Sequence, residues 1–280
     1  MAVIKIKCRE KQLELLIRYG SNNFLRGFFE GAMTFSDTHS SSFVMILLLF
    51  CFALIHSGGA ALRVKAESVI GARAWRLIFA FASIPSAVIL VGYFIAHRYD
   101  GVRFWNFQGI SELIPVIWIL SAISFLFLYP ATYNLLEIPA VLKPKVRIYA
   151  SGIIRVTRHP QAIGQIIWCF AHLLWIGTSF TLVTCVGLIA HHLFAIWHGD
   201  RRLTLRFGKE FDEIKKKTSV VPFLAVLDGR QKLQIKEFLR PSQMGILIAI
   251  FFFWWSHKFI SVGAQRFLSF DLTELLARIA

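Results

Sequence analysis

Six stretches of this chain, at about residues 43–62, 75–96, 113–134, 160–177, 180–197 and 244–260, are apolar over roughly the 17 to 25 residues that a helix needs to cross the hydrocarbon core of a bilayer. Lipid supplies no hydrogen-bond partners, so every backbone N–H and C=O in such a stretch must be satisfied within the segment, which a helix does. The expected fold is therefore all-α, an integral membrane helical bundle of about six transmembrane helices. A mean hydropathy of +0.60 and 56% hydrophobic residues over 280 positions agree with it. Only Thr178 and Ser179 follow Gly177 before the fifth window, so the fourth and fifth should form a tight hairpin. Pro85, Pro115 and Pro130 fall in or near windows, where neighbouring helices tolerate a kink.

Three segments are expected: a basic N-terminal part (1–42), a transmembrane unit (43–260) and a C-terminal tail (261–280). Within the first, LELLIRYGSNNFLRGFF mixes apolar residues with Arg18 and Arg26, as a segment lying along a membrane surface or an exposed helix does. The first forty residues have neither the continuous apolar core of a signal peptide nor the acid-poor pattern of a transit peptide.

The net charge of +15 reads as loop charge beside anionic lipid, with no nucleic-acid partner. After windows one, three and five come Arg63, Lys65, Arg73 and Arg76, then Lys143, Lys145, Arg147, Arg155 and Arg158, then eleven Lys and Arg from Arg201 to Arg240. The two intervening loops hold only Arg98 and Arg103. The basic side should thus face cytoplasm or stroma. A six-span count sets the basic N-terminal arm on the opposite side, a conflict that a surface-lying or re-entrant segment removes.

Ionisable groups inside spans are costly enough to ask for a function. Here they are histidines: His56 in window one, His172 in window four, His191 and His192 in window five. Each alone reads equally as a satisfied buried histidine; four together point to a metal or haem site, because neutral imidazole is a good iron ligand and a six-coordinate b-type haem takes two. Cys169 lies three residues before His172, about 60° away around a helix, beside Gln165, Trp168 and Trp175. A thiolate and an imidazole on that face could compete for one iron position, or the tryptophans simply pack between helices. The pair Gly58 and Gly59 would admit a flat ring or another backbone. For haem propionates the cations at the basic ends are Arg63, Arg155, Arg158, Arg201 and Arg202, whose other use is contact with lipid headgroups. No CxxCH, HExxH, GxGxxG or P-loop motif occurs, and the four cysteines have no zinc or disulfide spacing.

The blocks FALIHSGGAALR, YFIAHRYDGVRFWNFQGI, FLYPATYNLLE, RVTRHPQAIGQIIWCFAHLLWIG, GLIAHHLFAIWHGDRRLTLRFG and KKKTSVVPFLAVLDGRQ together resemble the NnrU-type membrane family in its carotenoid-pathway branch, over roughly residues 43–240. The resemblance implies an isomerase that turns the central cis double bond of 9,15,9'-tri-cis-zeta-carotene to give 9,9'-di-cis-zeta-carotene. It implies haem b (iron protoporphyrin IX), active as ferrous iron, with His56 and His172 as axial ligands and Cys169 taking over on reduction. The family's other histidines match His97, His159, His191 and His192. It also implies a hydrophobic carotenoid drawn from the bilayer, an electron donor, association with other carotenoid enzymes, and a plastid (thylakoid or envelope) or bacterial inner membrane.

One geometric point opens the ligand assignment. Counted inward from the basic side at about 1.5 Å per residue, His56 is roughly 9 Å deep and His172 roughly 18 Å, whereas His191 and His192 match His56 better. They are the alternative partners. Two other function classes stay open. RHPQAIG, followed by a hairpin and LTLRFGKEF, is similar to the nucleotide-cofactor region of isoprenylcysteine and phospholipid methyltransferases, but HGDRR stands where two adjacent acids belong. A haem electron-transfer or nitrogen-oxide-related membrane protein is the third class.

Overall fold

The structure is a computed structural model that describes residues 40–132, 150–238 and 241–268. The expected surface segment before residue 40, and Lys143, Lys145, Arg147 and Arg240, lie outside the described residues. The helices are α1 (Ser40–Ile70), α2 (Ala72–His97), α3 (Leu113–Thr132), α4 (Pro160–Ile176), α5 (Ser179–Phe207), α6 (Lys209–Lys217), the single turn α7 (Leu224–Leu227) and α8 (Pro241–Leu268). No strand forms among the described residues; one isolated bridge joins Arg103 to Thr178.

All six apolar windows are helical, as expected for a membrane helical bundle, but they differ in reach. By length and composition α1, α2, α5 and the Gly245–Gly263 part of α8 can each cross a membrane, while α3 over Leu113–Leu128 and α4 are shorter apolar helices. Several ends also fall later than expected. Helix α1 runs to Ile70 and α5 to Phe207, so Arg63, Asp200, Arg201, Arg202 and Arg206 lie on helix, not in loops. The apolar windows stop where hydropathy falls, but a helix continues for as long as its residues are good helix formers and its charges find water or partners.

Side chains sort as lipid solvent demands. The interior holds small hydroxyl residues, among them Ser83, Ser124, Thr181, Thr184 and Ser256, whereas Phe43, Phe81, Leu193, Phe251 and Trp255 point outward. Hydrocarbon outside is as apolar as leucine, so helices gain by close approach. Gly164 of α4 shows this: a Cβ there would stand 2.8 Å from the Ser124 carbonyl and 2.7 Å from Leu128 Cγ of α3. The bare backbone also lets Ser124 Oγ donate to the Gly164 carbonyl at 2.8 Å. In this way the two short helices become one packed pair.

The α4–α5 hairpin forms as expected. Gly177, at φ +68°, takes the left-handed position that ends α4, its N–H donating to Leu173 O at 2.9 Å. Thr178 then caps α5, its Oγ1 accepting from Thr181 N and donating to Arg98 O at 2.8 Å. Phe104 N donates to Gly177 O and Ser179 N to Val102 O, so the loop after α2 is tied to this turn. Pro85 sits inside α2 without interrupting it.

Opposite ends carry opposite chemistry. Arg98, Arg103 and the Gly177 turn share one end; Arg63, Arg155, Arg158, Arg201 and Arg202 gather at the other. There, Arg158 donates from Nη2 to Asp200 Oδ2 at 2.8 Å, and His159 Nε2 lies 2.8 Å from Asp200 Oδ1. Arg155 grips Glu237 through Nε (2.8 Å) and Nη2 (2.9 Å). That hydrogen-bonded carboxylate raises the pKa of the Arg155 guanidinium. These two clamps hold α5 and the chain after it against the segment that enters α4.

Candidate functional site

Helix α1 is not α-helical throughout. One π turn, Leu54–Gly58, carries His56 at its centre. A π turn inserts a residue into the ladder and re-aims the side chains on it, a feature found most often at functional sites. The following Gly59 brings α2 close, since a Cβ there would stand 2.9 Å from the Phe79 ring; around Gly58 the space is open to 4 Å. The flat ring expected beside this glycine pair is thus Phe79, whose centre is 5.4 Å from that of His56.

His56 Nδ1 is 2.7 Å from Ser83 Oγ on α2. With Nδ1–H donating to this hydroxyl, the Nε2 lone pair is free to bind a metal, the usual arrangement for a ligating imidazole. Across from it, α5 supplies His191, with ring centres 6.3 Å apart and planes at 61°. An iron between two imidazoles needs about 2 Å to each nitrogen, which sets the ring centres about 6 Å apart. His191 Nδ1 is buried and has no hydrogen-bond partner among the described residues. Phe52 lies against both, 5.2 Å from His56 and 5.4 Å from His191, and His192 is 5.3 Å from His191. His56 and His191 are thus two imidazoles near enough to share one metal.

His172 is placed elsewhere. Its Nδ1–H donates to the Trp168 carbonyl at 3.0 Å, and its ring stacks on Trp168 at 3.8 Å, with Phe94 of α2 at 6.2 Å. Ser83, which marks the level of His56, and Phe94, which marks that of His172, are eleven residues apart on α2, about 16 Å along the helix. His172 has its own neighbour, His257 of α8, within electrostatic reach. His257 was missed in the sequence, although an imidazole in the run FFFWWSHKF carries the same signal as the other four. Its ring meets Trp118 edge-on at 5.4 Å. Nearby, a cleft of about 340 Å³ opens between α3 and α8, lined by Trp118, Phe125, Phe251 and Trp254 among others.

Cys169 faces neither imidazole pair. It is 1% exposed, in the α4–α5 interface, where Cys185 Sγ donates to its carbonyl at 3.4 Å and Gln165 Nε2 lies 3.9 Å from its sulfur. Cys185 precedes His191 by six residues, so Cys169 sits about 9 Å along α5 from the His56–His191 level. On α4, Cys169 meets Cys185 and Gln165, while His172, three residues on, meets Trp168 and Phe94. Among the described residues no three His, Cys, Asp or Glu side chains gather as a metal site, but an axially ligated porphyrin asks for only two.

The five candidate arginines divide. Arg155 and Arg158 are occupied by Glu237 and Asp200. Arg201 lies 5.7 Å over Trp197. Arg63, held by Glu67 at 2.6 Å, and Arg202, whose Nη1 donates to Ala60 O at 2.6 Å, line one cleft together with Arg206. Asp200 joining Arg158 and His159 also means that RHPQAIG and HGDRR close on each other.

Against known proteins, the family model described as "NnrU protein" matches residues 44–264. The chain is 48% identical over 242 residues to the 15-cis-zeta-carotene isomerase, chloroplastic, of Zea mays, covering 85% of this chain and 66% of that protein. To the 15-cis-zeta-carotene isomerase, chloroplastic, of Arabidopsis thaliana it is 48% identical over 229 residues, covering 81% of this chain and 62% of that protein. The chain therefore spans just under two thirds of the length of these curated relatives. No solved structure matches it.

Proposed function

From the premise that this chain belongs to the NnrU family, we propose that it is an integral membrane isomerase that turns the central cis double bond of 9,15,9'-tri-cis-zeta-carotene to trans, giving 9,9'-di-cis-zeta-carotene. The observation that carries this reading is the 48% identity to the maize isomerase over 242 residues, a stretch long enough to include the histidine-bearing helices. The cofactor is haem b. When bound it would supply iron chemistry that lowers the order of the central double bond with no net redox change.

The chain's own residues hold and orient that group. His56 and His191 would hold the iron: their ring centres are 6.3 Å apart, edge to face, and Ser83 would fix the tautomer and ring angle of His56. His192 is the nearest replacement. His172 contacts α2 at Phe94, about 16 Å along that helix from the Ser83 that His56 meets. Phe52 and Phe79 wall the imidazoles with apolar rings that keep water away. Cys169, if it exchanges onto the iron, must leave the interface it shares with Cys185. Arg63 and Arg202 are the cations placed for propionates.

The remaining partners are membrane lipid, an electron donor that reduces the iron, and other carotenoid enzymes that pass on the hydrocarbon. The curated relatives are chloroplastic. A plastid membrane with the basic end toward the stroma, or a bacterial inner membrane with that end toward the cytoplasm, suits the charge asymmetry. The test is a visible spectrum of the purified protein followed by turnover of the tri-cis substrate. A Soret band that shifts with dithionite, and conversion by the reduced sample alone, are expected. Conversion at the same rate by haem-free protein would overturn the cofactor, and no conversion by reduced, haem-loaded protein would overturn the activity.

A further inference from the structure

We propose that Arg63, Arg202 and Arg206 form one anion-binding site that takes a carboxylate or phosphate group at the junction of α1 and α5. Helix α1 and helix α5 meet at the basic end through the 2.6 Å bond from Arg202 Nη1 to the Ala60 carbonyl. Positions 202 and 206 are one turn apart, so their side chains share a stripe of α5. Arg63 faces that stripe from α1, and the three line a cleft of about 40 Å³ with Val64 and Leu203. Both Arg63 and Arg206 are close enough to act electrostatically on Arg202.

The charges in this cleft do not balance. Glu67 answers Arg63, but among the described residues no carboxylate pairs with Arg202 or Arg206. The Arg206 guanidinium lies 5.6 Å from the centre of the Phe207 ring. Arg155, Arg158 and Arg230, at the same end, each have a carboxylate partner. Arg63 and Arg202 are half-buried and Arg206 is exposed, and like charges gathered this closely repel less when an anion sits among them. The planar guanidinium fork selects the ligand class, since it matches the paired oxygens of a carboxylate or phosphate.

That chemistry has two sources. One is a propionate of the porphyrin held by His56 and His191, because Arg63 follows His56 by seven residues, about 10 Å along α1; this arm rests on the cofactor reading above. The other is the phosphate of an anionic lipid, since the cleft lies at the end of the bundle where headgroups sit. The experiment uses the full chain in lipid nanodiscs and compares Arg206→Gln and Arg202→Gln with Lys209→Gln, an exposed cation of the same region outside the cleft. Arg206→Gln is the primary variant because its guanidinium makes no hydrogen bond within the described chain. Two quantities are measured: the rate at which haem b leaves for apomyoglobin, and the phosphatidylglycerol retained per protein after detergent exchange, with phosphatidylcholine as the neutral comparison.

A loss of about tenfold in one of the two is expected for both cleft variants and none for Lys209→Gln. Faster haem loss with unchanged phosphatidylglycerol retention identifies the propionate. Lower phosphatidylglycerol retention with unchanged haem, or in a protein that takes no haem, identifies the lipid phosphate. Both quantities unchanged in Arg206→Gln, with its melting temperature intact, overturns the site. A chain that binds no haem yet loses phosphatidylglycerol in the cleft variants would sink the cofactor reading and leave this site standing.

Discussion

A buried imidazole nitrogen without a hydrogen-bond partner costs about 1–3 kcal/mol, and His191 Nδ1 is such a nitrogen. Its neighbour His56 has one nitrogen anchored by Ser83 and the other free. On the proposed reading, a bound metal would orient His191 in place of the missing hydrogen bond. His191→Ala should lose haem or convert its spectrum from the two-imidazole form, while His172→Ala should keep the wild-type Soret band. The reverse pattern in the two absorption spectra would show that His172 is the partner. Ser83→Ala should weaken haem binding by about 10- to 100-fold in a haem titration, because it removes the group that aims His56 without touching the iron. The histidines themselves were legible in the sequence, since ionisable side chains in apolar windows stand out. Their pairing was less legible: the resemblance pointed to His56 with His172, residue counting from the basic side offered His191 or His192 as the replacement, and α2 touches one site at Ser83 and the other at Phe94, about 16 Å apart.

At the scale of elements, hydropathy marked where helices lie but not where they stop or bend. The window at 180–197 became a helix ending at Phe207, because HGDRRLTLRF is polar yet helix-forming and its Asp200 meets Arg158 and His159. Arg206 was missed for that reason: read as loop, it had no defined neighbour, whereas on a helix it falls one turn from Arg202. The π turn at His56 was also not legible, since it depends on how α1 meets α2. Close approach was legible at Gly59 of the Gly58–Gly59 pair, but not at Gly164. Gly164→Leu should force α3 and α4 apart, costing about 1–3 kcal/mol, seen as a lower melting temperature in detergent. Gly58→Ala, with nothing within 4 Å, should leave the melting temperature near wild type.

Over the whole molecule, the two ends differ in kind. One is closed by a tight hairpin and backbone bonds around Thr178; the other is closed by charge, with Asp200 receiving both Arg158 and His159 and Glu237 receiving Arg155. The second closure ties residues 152–159 to the chain beyond α5, through Arg158 N to Ser219 O at 2.8 Å and Phe223 N to Val156 O at 2.9 Å. Asp200 is 20% exposed, so its loss falls between the surface and buried limits for an ion pair, about 1–2 kcal/mol. Asp200→Asn keeps the shape and removes the charge that holds two cations together. The amides of Arg158 and Phe223 should then exchange hydrogen faster, while the amides of Gly177 and Ser179 at the opposite end keep their protection. Because this clamp contacts neither His56 nor His191, the haem spectrum should not move. A spectral shift in Asp200→Asn would mean that the basic cap and the imidazole pair are coupled through α5, and the separation between charge closure and haem seat argued from the contacts would fail.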